Sequence, residues 1–266
     1  MTLGTEPLLN VSGLTMNFGG IRALDRLDLR VRQGEVVALI GPNGAGKTTF
    51  FNCLTGLYTP SAGDLLLTPP GQPAKRLNGL KPNRITEQGI ARTFQNIRLF
   101  PNMTVLENVM IGRHCRTKAK VFGAIFRPPQ TVREEKAIVD MSRAILKKMG
   151  LTAVSDEFAK NLPYGAQRRL EIARALATEP LLLLLDEPAA GMNPQETREL
   201  NILITTIKQE GLSILLIDHD MKLVMSLSDH IFVMDYGRKI AEGTPEEVRN
   251  NPEVIKAYLG EAPSLA

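Results

Sequence analysis

The sequence has only two cysteines, Cys53 and Cys115, far apart and in no metal-ligand spacing. That excludes a disulfide framework or a cysteine-built zinc site, and fits a reducing compartment. No apolar run approaches the length of a membrane span, so none is expected to cross a bilayer. The opening MTLGTEPLLN carries neither a basic start nor the apolar stretch of a secretory leader. Internal repeats and low-complexity tracts are missing too. Neither sign of charge dominates, since 32 Lys and Arg stand against 28 Asp and Glu for a net +4 over 266 residues. Such a balance permits contact with anionic lipid headgroups or nucleic acid without requiring either. The chain is nonetheless long enough to bury a sizeable core, as one large or two small domains.

What the sequence does have is GPNGAGKTT, Gly41 to Thr49, which fits the phosphate-loop pattern G-x-x-x-x-G-K-[ST]. The run before it, Glu35 to Ile40, is mostly apolar and rich in β-branched residues, as a strand buried on both faces would be. Lys47 to Leu57 contains no proline and reads as a helix. Gly41, Gly44 and Gly46, spaced by Pro42, Asn43 and Ala45, let main-chain N–H groups turn inward toward a polyphosphate at a helix N-terminus. Lys47 then reaches the β- and γ-phosphates, and the hydroxyl of Thr48, followed by Thr49, suits Mg²⁺.

Upstream, Leu8 to Thr15 and Leu24 to Arg32 alternate as two half-buried antiparallel strands, with a turn at Asn17 to Gly20. Phe18 in that turn offers either a stacking face for a base or a core side chain. Asp64 to Leu67 reads as a strand, Pro69 to Lys81 as a loop, and Ile90 to Phe94 as a strand ending at Gln95. Thr104 and Glu107 form a capping-box pattern. Between Asn108 and Arg133 every charged residue is basic, which fits a solvated insertion or an arm for an acidic partner. Apolar spacing predicts a helix over Val132 to Met149.

Pro163 sits where a helix through Ala177 would begin, so the turn at Tyr164, Gly165 and Ala166 presents free N–H groups to an anion. Leu181 to Leu185 then closes on Asp186 and Glu187. Two acids ending a buried strand are costly as packing but useful as chemistry, one holding Mg²⁺ and the other polarising water. Asn193-Pro194 starts a helix through Gln209, and Ser213 to Ile217 is a buried strand leading to Asp218 and His219, on the ligand edge of an α/β sheet. A hairpin around Tyr236-Gly237 and short helices from Thr244 and Pro252 complete the chain.

Phe18, the phosphate loop, Gln95, the NLPYGAQRRLEIARAL region, LLLLLDEP and His219, in that order, resemble the nucleotide-binding subunit of an ABC transporter across essentially the whole chain. The LxYG signature, AAGMNP, FNCLTG, ARTFQNIRLFPNMTVLENV, IDHDMKLVM and GTPEEVRNNPEVIKAYLG narrow the resemblance to the ATP-binding subunits of branched-chain amino acid importers. It implies a single α/β domain over residues 1–266, an ABC-type P-loop fold with a mixed core sheet. An N-terminal antiparallel β subdomain, a helical subdomain over about 96–179 carrying the signature, and a C-terminal hairpin with helices over about 229–260 would accompany that sheet. It also implies that Phe18 stacks on adenine, that Thr48, Gln95 and Asp186 surround Mg²⁺, that Glu187 acts as the base toward water, and that His219 meets the γ-phosphate of ATP.

The family's usual signature, LSGGQ, here reads Leu162-Pro163-Tyr164-Gly165-Ala166. The resemblance has this segment complete the ATP site of a second ATP-binding subunit, in a dimer formed on ATP binding. Losing the serine hydroxyl removes one hydrogen bond to a charged group, of roughly 1.5–3 kcal/mol. Two membrane permease subunits, contacted through about Asn96 to Val109, and a periplasmic or extracellular amino acid-binding protein are the implied partners, at the cytoplasmic face of the inner membrane. Nucleic acid is not among them. An exporter ATPase of the same fold is one rival, and a soluble ABC-type ATPase acting on nucleic acid or ribosomes another. The second usually fuses two such domains in one chain. A GTPase is excluded because no NKxD motif follows the phosphate loop.

Overall fold

A computed structural model describes residues 6–113, 115 and 129–259. Much of the basic segment, including Arg116, Lys118, Lys120, Phe122, Phe126 and Arg127, lies outside them. Among the described residues two sheets organise the chain. One is antiparallel, with strand order β2-β1-β4-β5: β1 is Leu9–Phe18, β2 Ile21–Val31, β4 Ala62–Leu67 and β5 Lys75–Arg76. The other runs β10-β9-β3-β8-β7-β6, with β3 Val36–Ile40, β6 Ile90–Arg92, β7 Leu182–Asp186, β8 Ser213–Ile217, β9 His230–Asp235 and β10 Arg238–Gly243. Its strands are parallel from β9 to β6, and only β10 turns back antiparallel.

β3, β7 and β8 are buried at every position, which is why they read as near-continuous apolar runs, broken only by Asp186 at the end of β7 and Ser213 at the start of β8. The period of two still decides where each side chain goes. Val36, Ala38 and Ile40 pack with Leu183, Leu185, Ile214 and Leu216 on one face, while Val37 and Leu39 pack with Leu182, Leu184, Leu215 and Ile217 on the other. The first face is covered by α5 (Tyr164–Leu176) and α6 (Pro194–Gln209) through Leu170, Ala173, Leu200 and Ile204. The second is covered by α1 (Lys47–Leu54) and the antiparallel sheet through Phe50, Leu54, Leu14 and Leu24. Burying each of these leucine, isoleucine and phenylalanine side chains fully contributes about 1.5–3 kcal/mol.

Several boundaries differ from those the sequence suggested. β1 and β2 continue to Phe18 and Ile21, which pair directly, so the turn shrinks to Gly19-Gly20 with Gly19 in the left-handed region. α1 stops at Leu54, not Leu57, because Gly56 takes φ 71° and any Cβ there would lie 2.3 Å from the Leu80 carbonyl oxygen. The Pro69 to Lys81 stretch is not all loop: it contains β5, which pairs with β4. It leads into a helix the sequence did not reveal, α2 (Pro82–Gln88). β6 ends at Arg92, two residues before Phe94.

Helix α3 (Val105–Arg113) is capped as expected, with Thr104 N and Oγ1 donating to Glu107 Oε2 and Glu107 N donating to Thr104 Oγ1. Helix α4 (Pro129–Lys148) starts a few residues before the predicted Val132. Further along are α7 (Met221–Leu227), α8 (Pro245–Arg249) and α9 (Pro252–Leu259), and no described helix is long and apolar enough to cross a membrane. Arg238 of β10 bonds Asp25 of β2, tying the two sheets at the end where the phosphate loop emerges.

Candidate active site

The phosphate loop leaves β3 at Gly41 and enters α1 at Lys47, the strand–loop–helix setting its sequence called for. Two of its glycines are needed for close approach. A Cβ on Gly41, at φ 151°, would sit 2.1 Å from Met234 O, and one on Gly46, at φ 102°, 2.6 Å from Ala23 O. Pro42 O accepts from Ala45 N and Ala45 O accepts from Gly237 N, so the loop is pinned to the β9–β10 turn. Asn43, Gly44 and Thr48 are exposed, and Thr49 is half-buried. Lys47 is 7% exposed and its Nζ donates to Gly41 O at 2.7 Å and Pro42 O at 3.0 Å. Burial pulls its pKa below the usual lysine value, against the opposing pull of Glu187 and Asp186.

β6, β7 and β8 lie side by side, and the chain segments leaving their C-terminal ends supply the rest of the cluster. Gln95 Nε2 donates to Glu187 Oε2 at 2.7 Å, and His219 Nε2 lies 3.0 Å from Glu187 Oε1. Three residues singled out separately in the sequence therefore meet at one carboxylate. Glu187 itself is held in the left-handed region at φ 48°, with its N–H donating to Ile217 O at 2.7 Å. A non-glycine residue kept there costs on the order of 1–3 kcal/mol, a strain that recurs at functional positions.

Asp186 is 4% exposed and is paired, which its sequence position alone did not reveal. Arg92 Nη2 donates to Asp186 Oδ2 at 2.6 Å, while Arg92 Nη1 donates to Asn52 Oδ1 at 2.7 Å. The guanidinium lies 5.3 Å from the Phe51 ring centroid and 5.1 Å from that of Phe94. An arginine between the apolar residues of the predicted strand Ile90 to Phe94 was the available signal, since a charge drawn into a sheet needs a partner. Asp218, before the histidine, accepts from Ala189 N and Asp220 N, and burial raises its pKa above the ordinary carboxylate range.

The signature region sits at the start of α5, with Pro163 at the cap position, Gly165 and Ala166 buried, and Tyr164 41% exposed. A Cβ on Gly165 would lie 2.5 Å from Glu196 Oε1, so the helix abuts the start of α6. There Asn193 Oδ1 accepts from Gln195 N and Glu196 N in a capping box. Arg168 and Glu171, which the sequence reading passed over, form a buried pair at 2.8 Å with side chains 0% and 1% exposed. Their spacing of three on a helix was the only hint. Burial raises the Glu171 pKa, against the pull of Arg168. Phe18 stands at the end of β1, 40% exposed, its ring edge-on to Tyr58 at 5.2 Å.

A loop built for phosphate, a lysine, two acids at a strand end and a glutamine and histidine on one of them form a constellation for nucleotide hydrolysis. Comparison with known proteins agrees. The model of the ABC transporter family matches residues 24–190, and that of the branched-chain amino acid ATP-binding cassette transporter matches residues 238–263. A high-affinity branched-chain amino acid transport ATP-binding protein, LivG of Salmonella typhimurium, is 49% identical over 97% of this chain and all of its own length. Its counterpart BraF of Pseudomonas aeruginosa is 48% identical over the same shares. A nucleotide-free ATP-binding cassette from an ABC transporter superposes with a TM-score of 0.82 at 32% identity, covering 96% of this chain and all of that one. By matched family, whole-length relatives and fold together, the chain belongs to the ATP-binding subunits of ABC transporters.

Proposed function

We propose that this subunit hydrolyses ATP to power import of branched-chain amino acids, with Glu187 as the base toward water. The single observation that carries hydrolysis at these residues is the meeting of Gln95 and His219 on Glu187, at 2.7 and 3.0 Å. The transported class is carried over from what the similar proteins are named for. Phosphoryl transfer asks mainly for positioning and charge. Gly41 to Thr49 cradle the phosphates, Lys47 brings its ammonium to them, and Phe18 stacks on adenine. Gln95 orients the Glu187 carboxylate, which takes the proton of the attacking water, and His219 donates to the γ-phosphate.

The hydroxyl of Thr48, the carboxylate of Asp186 and the amide oxygen of Gln95 are hard oxygen donors that fit Mg²⁺. Among the described residues no cluster of three or more His, Cys, Asp or Glu could hold a metal ion. When bound, Mg²⁺ neutralises charge on the β- and γ-phosphates.

The signature turn of one ATP-binding subunit completes the site of the other when the two close on ATP. A cavity of about 690 Å³ lined by Phe94, Arg98, Phe100, Ile111 and Arg174 lies beside the segment after Gln95. Arg98 packs 4.3 Å over the Phe94 ring, giving a semi-apolar groove suited to a helical segment of a permease. We place the subunit at the cytoplasmic face of the membrane, docked on two permease subunits that receive substrate from an amino acid-binding protein outside.

The test is uptake by the assembled complex. Proteoliposomes carrying the permeases, the binding protein and this subunit are expected to accumulate labelled leucine with ATP inside, and Lys47→Ala to abolish accumulation. Uptake that survives Lys47→Ala would overturn the role of the loop. Nucleotide-driven transport of another solute class, with leucine excluded, would overturn the substrate.

A further inference from the structure

The signature turn departs most from the family pattern at Tyr164, and its side chain reaches two other parts of its own subunit. Tyr164 Oη donates to Ala190 O at 2.9 Å and accepts from Arg168 Nη2 at 3.2 Å. That uses the one donor and one acceptor lone pair of a phenol. The ring covers Gly191, where any Cβ would lie 3.4 Å from it. Arg168 Nη2 also donates to Gln95 O at 2.8 Å, and Arg168 Nη1 to Phe94 O at 2.6 Å. Glu171 Oε1 accepts from Phe94 N and Arg98 N. Ala190 N in turn donates to Glu187 O at 3.1 Å.

These contacts close a ring. It runs from the Gln95 side chain to the Glu187 carboxylate, along the main chain to Ala190, across to Tyr164, through Arg168, and back to the main chain of Gln95. Both residues of the carboxylate–amide contact are thereby fixed from behind by the start of α5. From this geometry we infer that Tyr164 is a positioning residue for catalysis in its own subunit, acting through Arg168 and Ala190 to hold Gln95 against Glu187. A plain packing role does not account for the ring, because a phenylalanine would cover Gly191 equally well. The phenolic oxygen is what joins the two segments.

The inference rests on the reading of Glu187 as base, and the experiment separates the two. Steady-state ATP hydrolysis is measured for wild type, Tyr164→Phe, Gln95→Ala, the double variant and Glu187→Gln, with thermal unfolding of each. Tyr164 is 41% exposed, so Tyr164→Phe is expected to fold with an unchanged melting temperature. Its kcat is expected to fall about fivefold to thirtyfold at unchanged KM, the loss corresponding to one or two hydrogen bonds that orient a catalytic group. In the Gln95→Ala background the same substitution is expected to cost less than about twofold, since the residue it positions is gone.

An equal loss in both backgrounds, or a rise in KM with kcat intact, overturns the positioning role. Normal hydrolysis by Glu187→Gln overturns the base assignment whatever the cycle shows. Abolished hydrolysis in Glu187→Gln with an additive cycle sinks the relay alone.

Discussion

Removing the guanidinium of Arg92 probes the site from its least visible side. Arg92 and Asp186 are both 6% exposed in their side chains and meet at 2.6 Å. Arg92→Met keeps the stem and the packing against Phe51 and Phe94 but leaves the Asp186 carboxylate buried without its counter-charge. Taking one partner from a buried pair costs about 3–5 kcal/mol. The Lys47 ammonium interacts favourably with Asp186 and softens the loss, so the lower end, about 3 kcal/mol, is expected. For a chain of this size each kcal/mol moves Tm by about 2–4 °C, giving a fall of about 6–12 °C.

Arg92→Lys should recover only part, because one ammonium cannot serve Asp186 and Asn52 as the two guanidinium nitrogens do. Urea unfolding of Arg92→Met, Asp186→Asn and the double variant supplies the coupling energy, expected to be about 2 kcal/mol. A loss below about 1 kcal/mol for Arg92→Met, or strict additivity, would refute the account of a buried, mutually dependent pair.

Two further predictions follow from local geometry. Gly41→Ala, with its Cβ driven onto Met234 O, should abolish nucleotide binding measured with a fluorescent ATP analogue, whereas Gly44→Ala, which meets nothing within 4 Å, should lose only the roughly 1–2 kcal/mol of a strained φ of 83°. Cys53 is 2% exposed and burial pushes its thiol up to about 11. Alkylation of this thiol at pH 8 should therefore be rate-limited by unfolding. Because the folded thiol stays protonated where the unfolded one ionises, its contribution to stability should decline as pH rises from about 9 toward 11.

The contiguous features were legible in sequence because their chemistry is local. Gly41 to Thr49 carries its own turn residues and lysine, and β7 announces itself as leucines closing on two acids. Strand-end position nominated His219 and the family resemblance nominated Gln95, and the structure puts both on Glu187. The ring through Tyr164 was not legible, since it joins residues 26 and 73 apart in the chain, and the departure from LSGGQ registered only as a lost hydrogen bond. Arg92 and Asp186 are 94 apart and no periodicity links them. Helix α2 was hidden by the Pro- and Gly-rich stretch before it, although Pro82 is an ordinary first residue for a helix.

Hydrolysis by Glu187→Gln beside wild type, with light scattering in the presence and absence of ATP and Mg²⁺, tests the central claim most directly. Glutamine keeps the shape, and its amide oxygen can still accept from Gln95 Nε2, but it cannot take a proton from water. The account predicts a variant that binds ATP, no longer hydrolyses it and accumulates as a dimer. A variant that hydrolyses at the wild-type rate and stays monomeric with ATP would contradict it.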